Sequence, residues 1–269
     1  MKSAQRTLSG AARHAAEQRC IAEFVGTPYG RLARNKLMRD GKVCVPLFAS
    51  EQEARTKTSS MASAVARLVE DTDGSVKSVM LKRRYTRIKG RFGQDRLMIP
   101  LSDLGTDFGS VSGDMEETLV YVLWALDNPG YDRILAEIST CLLSLEGLLA
   151  QVLHRDQVLE KITDQMAGRT QAATRGNSRP QPPPYSALCA FQEGTSLRIV
   201  DGSHLDVHKN YEQGSAVECQ IPRGWGLLWH GLSVHGGDGC TAAWLARLHI
   251  FLRALGCPQA ATGKIDLVD

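Results

Sequence analysis

Three side chains of this sequence have the types and spacing that hold a single metal ion: His154, Asp156 and His235. In Gln151-Val152-Leu153-His154-Arg155-Asp156, an imidazole and a carboxylate stand two positions apart after an apolar run. On a strand, residues i and i+2 point to one face, so both reach the same ion. In Trp229-His230-Gly231-Leu232-Ser233-Val234-His235-Gly236-Gly237, a second apolar run ends on another histidine. Two imidazoles and one carboxylate on one side of a metal suit Fe(II) and leave three coordination positions open. Oxygen chemistry needs those positions, because a co-substrate and O₂ must both reach the metal.

Arg247 extends the pattern. It lies twelve positions past His235, inside Trp244-Leu245-Ala246-Arg247-Leu248-His249-Ile250-Phe251-Leu252. A guanidinium in so apolar a strand needs a buried anion. Its planar fork matches a carboxylate through paired hydrogen bonds. The far carboxylate of 2-oxoglutarate would meet that need, with Arg253 as the fallback anchor. His249 shares the face of Arg247 and is read as lining the pocket; the alternative is a hydrogen-bonded core histidine.

The other histidines are weaker ligands. His204-Leu205-Asp206 is a second His-x-Asp triplet, but it sits in a turn only thirty-one positions before His235, against eighty-one for His154. A jelly roll needs several strands between its two ligand-bearing elements, which favours the longer interval. His230 competes with His235, yet five residues separate them and an unbroken strand would turn them to opposite sides. His230 is therefore read as a packed histidine, and His14 and His208 as exposed.

The elements that position these residues follow from periodicity. Short apolar runs at Leu149–Leu153, Tyr185–Phe191, Leu197–Val200, Ala216–Ile221, Gly226–Trp229 and Trp244–Leu252 alternate with turn residues. This spacing predicts the strands of a sandwich, barrel or jelly roll. Upstream, residues 1–24 read as a helix or basic arm broken by Pro28-Tyr29-Gly30, and Lys42–Leu47 as a strand after the Asp40-Gly41 turn. Ser50 and Glu53 form a capping box that opens a helix running to about Glu70. Residues 103–113, rich in Gly, Ser and Asp, predict a loop. Met115–Leu126 predicts an apolar helix and Tyr131–Ser139 another. Thr170–Pro184, with four prolines, predicts a surface loop.

The order His-x-Asp, Gly-Ser-His, His, Arg resembles the phytanoyl-CoA dioxygenase-like branch of the Fe(II)/2-oxoglutarate oxygenases, most clearly over residues 149–252. Gly194–His204 is similar to the family's segment running into its Pro-Gly-Ser-His turn, with Asp201 in place of the proline. Ile221–Trp229 resembles the turn and strand before the distal histidine, and Asp40–Leu47 with the capped helix resembles the opening strand and helix. The resemblance implies an α+β fold: a double-stranded β-helix (jelly-roll, cupin-like) core at about 147–253 with flanking N-terminal helices. An oxygenase-like domain would span 34–257, with a basic arm at 1–33 and a tail at 258–269. It further implies His154, Asp156 and His235 as iron ligands, Arg247 as the 2-oxoglutarate anchor, Fe(II) and 2-oxoglutarate as cofactors, and hydroxylation as the reaction. Arg247 lies slightly further past the distal histidine than the family pattern, which the glycine-rich turn Gly236-Gly237-Asp238-Gly239 would absorb. The stretch between Asp156 and Tyr185 matches nothing in the family, so the substrate is not legible.

Composition narrows the alternatives. A net charge of +3 and a pI near 8.5 are too mild to indicate nucleic acid by themselves. Val79–Arg96 holds Lys82, Arg83, Arg84, Arg87, Lys89, Arg91 and Arg96 against Asp95, with Tyr85 and Phe92 interleaved. Such a strip either contacts phosphates or is a solvated strand pair, since these charges mostly sit outside. A nucleic-acid-directed oxygenase and a catalytically inactive jelly-roll binding module are thus the alternative functions. Seven cysteines without a C-x-x-C pair exclude a structural zinc or thioredoxin motif and point to buried thiols in a reducing compartment. No run of about 18 apolar residues predicts a membrane span. Lys2, Arg6, Arg13 and Arg19 fit a transit peptide or the wet face of a helix, and a cytoplasmic location is the default.

Overall fold

The computed structural model describes residues 26–70, 86–88, 96–127, 134–156, 184–254 and 266–267. The expected arm at 1–24, His14, most of the basic strip and the loop at 170–183 lie outside them.

Helix α1 (Pro28–Asp40) begins where a break was expected. Pro28 stands at the start of the helix, where its missing N–H removes no intrahelical bond. Thr27 caps the end, its Oγ1 accepting the Gly30 N–H at 3.0 Å. The helix stops at Gly41, whose φ of 77° suits glycine. Strand β1 (Lys42–Pro46) follows as expected. Helix α2 (Glu51–Glu70) opens on the predicted cap: Ser50 Oγ accepts the Glu53 N–H at 3.2 Å. The Glu53 carboxylate reaches back to the Ala49 N–H at 3.2 Å, one residue earlier than in a standard capping box.

Two segments correct the sequence reading. Residues 103–113 are mostly helix: after a single 3₁₀ turn (Leu101–Leu104), helix α3 runs Thr106–Asp127. Phe108, Val111, Met115, Leu119 and Leu123 are buried at helical spacing, and this apolar stripe overrides the Gly, Ser and Asp between them. Where a helix was expected at Tyr131–Ser139, the described residues from Ile134 on belong to strand β4 (Ile134–Leu145). A short stretch with apolar residues on no clear period reads as either element, and here eleven backbone pairings with β11 (Trp244–Ala254) decide for a strand.

The remaining strands are β2 (Thr86–Ile88), β3 (Arg96–Ile99), β5 (His154–Arg155), β6 (Tyr185–Ala190), β7 (Ser196–Ile199), β8 (Val217–Gln220), β9 (Trp225–His230), β10 (His235–Gly237) and β12 (Asp266–Leu267). They form two antiparallel sheets. The larger has the order β1-β9-β6-β11-β4-β3-β2, so it draws four strands from before residue 147; the smaller is β12-β5-β10-β7-β8. Strand alternation gives the larger sheet two buried faces. Val43, Leu143, Cys189, Leu228, Ala246, Leu248 and Ile250 pack against the helices, in one core with Met61, Phe108 and Leu119. Leu142, Leu188, Ala190, Leu227 and Trp229 turn the other way and meet Leu197 and Ile199 of the smaller sheet. The space between the sheets is where the candidate ligands lie.

Candidate metal centre

His154 and His235 are direct partners across β5 and β10, their ring centroids 4.6 Å apart. The expected strand at Leu149–Leu153 is absent; the regular strand begins only at His154. Upstream of it, Gln151 exchanges hydrogen bonds with Gly237 without continuing the ladder, its N–H donating to Gly237 O (2.8 Å) and its Oε1 accepting the Gly237 N–H (3.0 Å). The Leu153 N–H goes to Gln213 Oε1. Asp156 follows two residues after His154 and reaches the same point. One nitrogen from each histidine and one Asp156 oxygen all lie within 4.8 Å of one another. This is the one such group among the described residues.

Local backbone fixes how each ligand is presented. His154 Nδ1 lies 2.9 Å from Val152 O and His235 Nδ1 lies 3.0 Å from Ser233 O. A carbonyl only accepts, so Nδ1 carries the hydrogen on both rings and Nε2 is left as the coordinating atom. Asp156 Oδ1 lies 3.4 Å from His235 Nε2, while Oδ2 accepts the Ser186 hydroxyl at 2.7 Å from β6. The donor set and its closeness fit a transition metal bound on one face.

The electrostatics of the two histidines differ. Burial pushes His154 down to about 4, reinforced by the neighbouring His235 charge. Burial also opposes charge on His235, but the Asp156 carboxylate outweighs it and holds the imidazolium above its ordinary range. Burial would raise Asp156; the adjacent His235 charge and hydrogen bond win, and its carboxyl sits well below the usual range.

On the facing sheet, Arg247, His249 and Phe251 share the inner side of β11, as expected, because Ala246, Leu248 and Ile250 face the helices. His249 stacks on Trp229 at 5.7 Å with rings 3° apart, meets Phe251 at 4.5 Å, and is held neutral by burial, its pKa pushed down to about 4. Trp229 in turn lies 5.1 Å from His235. Arg247 is 2% exposed and its Nε has no hydrogen-bond partner among the described residues. Burial pushes its pKa down to about 10.

Arg96, at the end of the basic strip and within the described residues, does not fit the solvated alternative: it is 1% exposed and lies beside Arg247. Burial first, then the Arg247 charge, push it down to about 9. A Cβ at Gly237 would stand 3.0 Å from Arg96 Nη2 and 3.1 Å from Arg247 Nη2, so the glycine makes room for both guanidinia. Sequence reasoning also missed Ser186 and Trp229; only their places on inward faces of β6 and β9 identify them.

The competing histidines lie elsewhere. His230 ends β9, where its Nδ1 accepts the Leu232 N–H at 3.2 Å and its ring packs on Tyr185 and His204. His204 lies 3.1 Å from Met38 O through Nε2, and neither it nor Asp206 joins the metal group. His208 is exposed, as expected.

No protein-family model matches this sequence, and no curated protein does. Solved structures do. AviO1 from Streptomyces viridochromogenes is 16% identical and superposes with a TM-score of 0.58, covering 87% of this chain and 99% of that one. The non-heme alpha ketoglutarate dependent carbocyclase SnoK from nogalamycin biosynthesis is 14% identical, with a TM-score of 0.54 over 89% of this chain and 96% of its own. The chain shares their fold. The epimerase SnoN, solved in complex with Fe3+, alpha ketoglutarate and nogalamycin RO, is 14% identical, with a TM-score of 0.53 over 89% of this chain and 93% of that one. The fold neighbours thus include non-heme enzymes that depend on alpha ketoglutarate. Among the described residues, no helix is long and apolar enough to cross a membrane.

Proposed function

We propose that this chain is a jelly-roll Fe(II)- and 2-oxoglutarate-dependent dioxygenase that hydroxylates a small molecule. The observation that carries the reading is the convergence of His154, Asp156 and His235 opposite a buried guanidinium whose Nε lacks a partner among the described residues. Those three atoms would hold the iron, and Arg247 would hold the far carboxylate of 2-oxoglutarate. The resemblance of the His-x-Asp, Gly-Ser-His, His, Arg order to the phytanoyl-CoA dioxygenase-like branch agrees with this assignment. When bound, iron supplies the redox chemistry: 2-oxoglutarate, O₂ and R–H become succinate, CO₂ and R–OH.

The chain's own residues supply orientation and dryness. Ser186 pins Asp156 Oδ2, so only Oδ1 faces the metal position. The backbone acceptors at Val152 and Ser233 hold both imidazoles in one tautomer. Gly237 lies two residues past His235, about 7 Å along a strand. The guanidinia crowding Gly237 are thus placed one strand repeat from His235, an arrangement that suits a short dicarboxylate that chelates at one end. Trp229, His249 and Phe251 wall the site with rings, and burial keeps His249 uncharged beside Asp156. A cationic His249 would compete for the Asp156 carboxylate.

Succinate release from 2-oxoglutarate in air with Fe(II) tests the reading. Wild-type protein is expected to form succinate, and a His154→Ala/Asp156→Ala variant to fall to background. Turnover that persists in the folded double variant contradicts the assignment.

A further inference from the structure

We infer that strand β12 is a clamp that positions His154, so that docking of β12 and loading of the metal are linked. The inference rests on the metal-site reading above. It adds an element, Asp266–Leu267, that no ligand motif contains.

The strands that carry the two histidine ligands are held unequally. His235 opens β10, and every residue of β10 pairs with β7: His235 with Ile199, Gly236 with Arg198 and Gly237 with Leu197. β10 is also flanked on its other side by β5. β5 itself is only two residues long. β10 meets it at a single position, His235 opposite His154. Its other pairings among the described residues come from β12, with Leu267 opposite His154 and Asp266 opposite Arg155. His154 thus has a strand partner on both sides, and Arg155 pairs with β12. A strand this short with one neighbour is marginal and leaves a row of backbone groups unpaired. β12 covers that edge.

The other ties around β5 act at its flanks or through side chains. The Gln151 N–H donates to Gly237 O at 2.8 Å, three residues before His154. The Leu153 N–H goes to the Gln213 side chain at 3.2 Å. Arg155 reaches out through its side chain, Nε donating to Leu232 O at 3.1 Å. The ring of His154 is fixed to its own chain through Val152 O, so a tilt of the strand carries the ring with it. Asp156 follows β5 directly, so the same ladder sets where its carboxylate leaves the sheet. Supports that orient metal ligands matter by about 10- to 100-fold in affinity. A metal that favours the aligned ligands favours docked β12, and docked β12 favours the metal by the same factor.

Two measurements on the full chain, with Mn(II) alone as the probe, test both directions of the linkage. Amide hydrogen exchange followed by mass spectrometry reads β12: exchange across Asp266–Leu267 is expected to slow when Mn(II) is added to wild-type protein. Calorimetry reads the metal. Leu267→Pro removes a backbone N–H and fixes φ, which breaks the pairing opposite His154. It is expected to weaken Mn(II) by about 10-fold. Leu267→Val keeps a strand-forming backbone and is expected to match wild type. Wild-type affinity in folded Leu267→Pro, an equal loss in Leu267→Val, or exchange that Mn(II) leaves unchanged overturns the inference while the metal-site reading stands. A wild-type protein that binds no Mn(II) overturns both.

Discussion

His154 and His235 sit side by side and hold protons differently, which gives the site a pH signature. His154, at about 4, is already neutral at neutral pH. His235 stands above its ordinary value because Asp156 faces it. A metal binds only the neutral ring, so His235 is the proton to be displaced. Mn(II) affinity is expected to rise with pH up to the raised His235 value and to level off above it, with up to one proton released per ion. Titration in buffers of different ionisation heat measures that proton; pH-independent affinity between 6 and 8 contradicts it. Metal-free stability follows from the same shifts. Between about pH 4 and the unfolded value of about 6.5, His154 and His249 are protonated only when unfolded, so stability falls as the pH drops through this window. Above about 6.5 the raised His235 acts oppositely, and its contribution is lost as pH rises through its folded value. Thermal melts of metal-free protein are therefore expected to peak near pH 6.5. The grouping of His154, Asp156 and His235 was legible because a His-x-Asp pair and a histidine before a glycine-rich turn stand out locally, although the strand at His154 stops at Arg155 and Asp156 lies just beyond it. Arg96 was not, because a basic strip reads as solvated until strand order shows which side each residue takes.

Elements near the site are held by contacts a sequence does not display. The turn between β8 and β9 is fastened to α2 by Arg223, which donates to Thr58 Oγ1 at 2.6 Å, Arg55 O at 2.9 Å and Ser59 Oγ at 2.6 Å. Gly224 in that turn has φ of 80°, and a Cβ there would lie 2.6 Å from Ala54 Cβ. Gly224→Ala is expected to destabilise by about 1–3 kcal/mol through backbone strain and this clash, measured by urea unfolding. A neutral result would mean that the turn and helix separate easily. Most strands after residue 184 were legible, because turn residues bracket each apolar run. β4 was not: Ile134-Leu135-Ala136-Glu137-Ile138 has no alternation, and its pairing with β11 is a long-range fact. α1 and the first turns of α3 escape a local reading, because proline and glycine read as stops where a cap and an apolar stripe outweigh them, while the apolar part of α3 from Met115 is legible.

At the scale of the molecule, the larger sheet carries two faces with different tasks. One packs on the helices through residues such as Leu119 of α3, which is 0% exposed; the other lines the site. Leu119→Ala is expected to lower stability by about 2–5 kcal/mol and to leave metal affinity in the folded protein unchanged, since the helix face is remote from the ligands. A loss of affinity in folded protein would show the two faces to be coupled. The paired sheets were foreseen from the rhythm of short runs, but the recruitment of β1 to β4 into the larger sheet follows from pairings that no local pattern encodes. The central claim, one iron held by His154, Asp156 and His235 with 2-oxoglutarate beside it, is tested most directly by anaerobic Fe(II) titration with and without 2-oxoglutarate. A visible charge-transfer band is predicted only with both present, saturating at one iron per chain and vanishing in His235→Ala. A folded wild-type protein without that band, or a band that survives in His235→Ala, would contradict the claim.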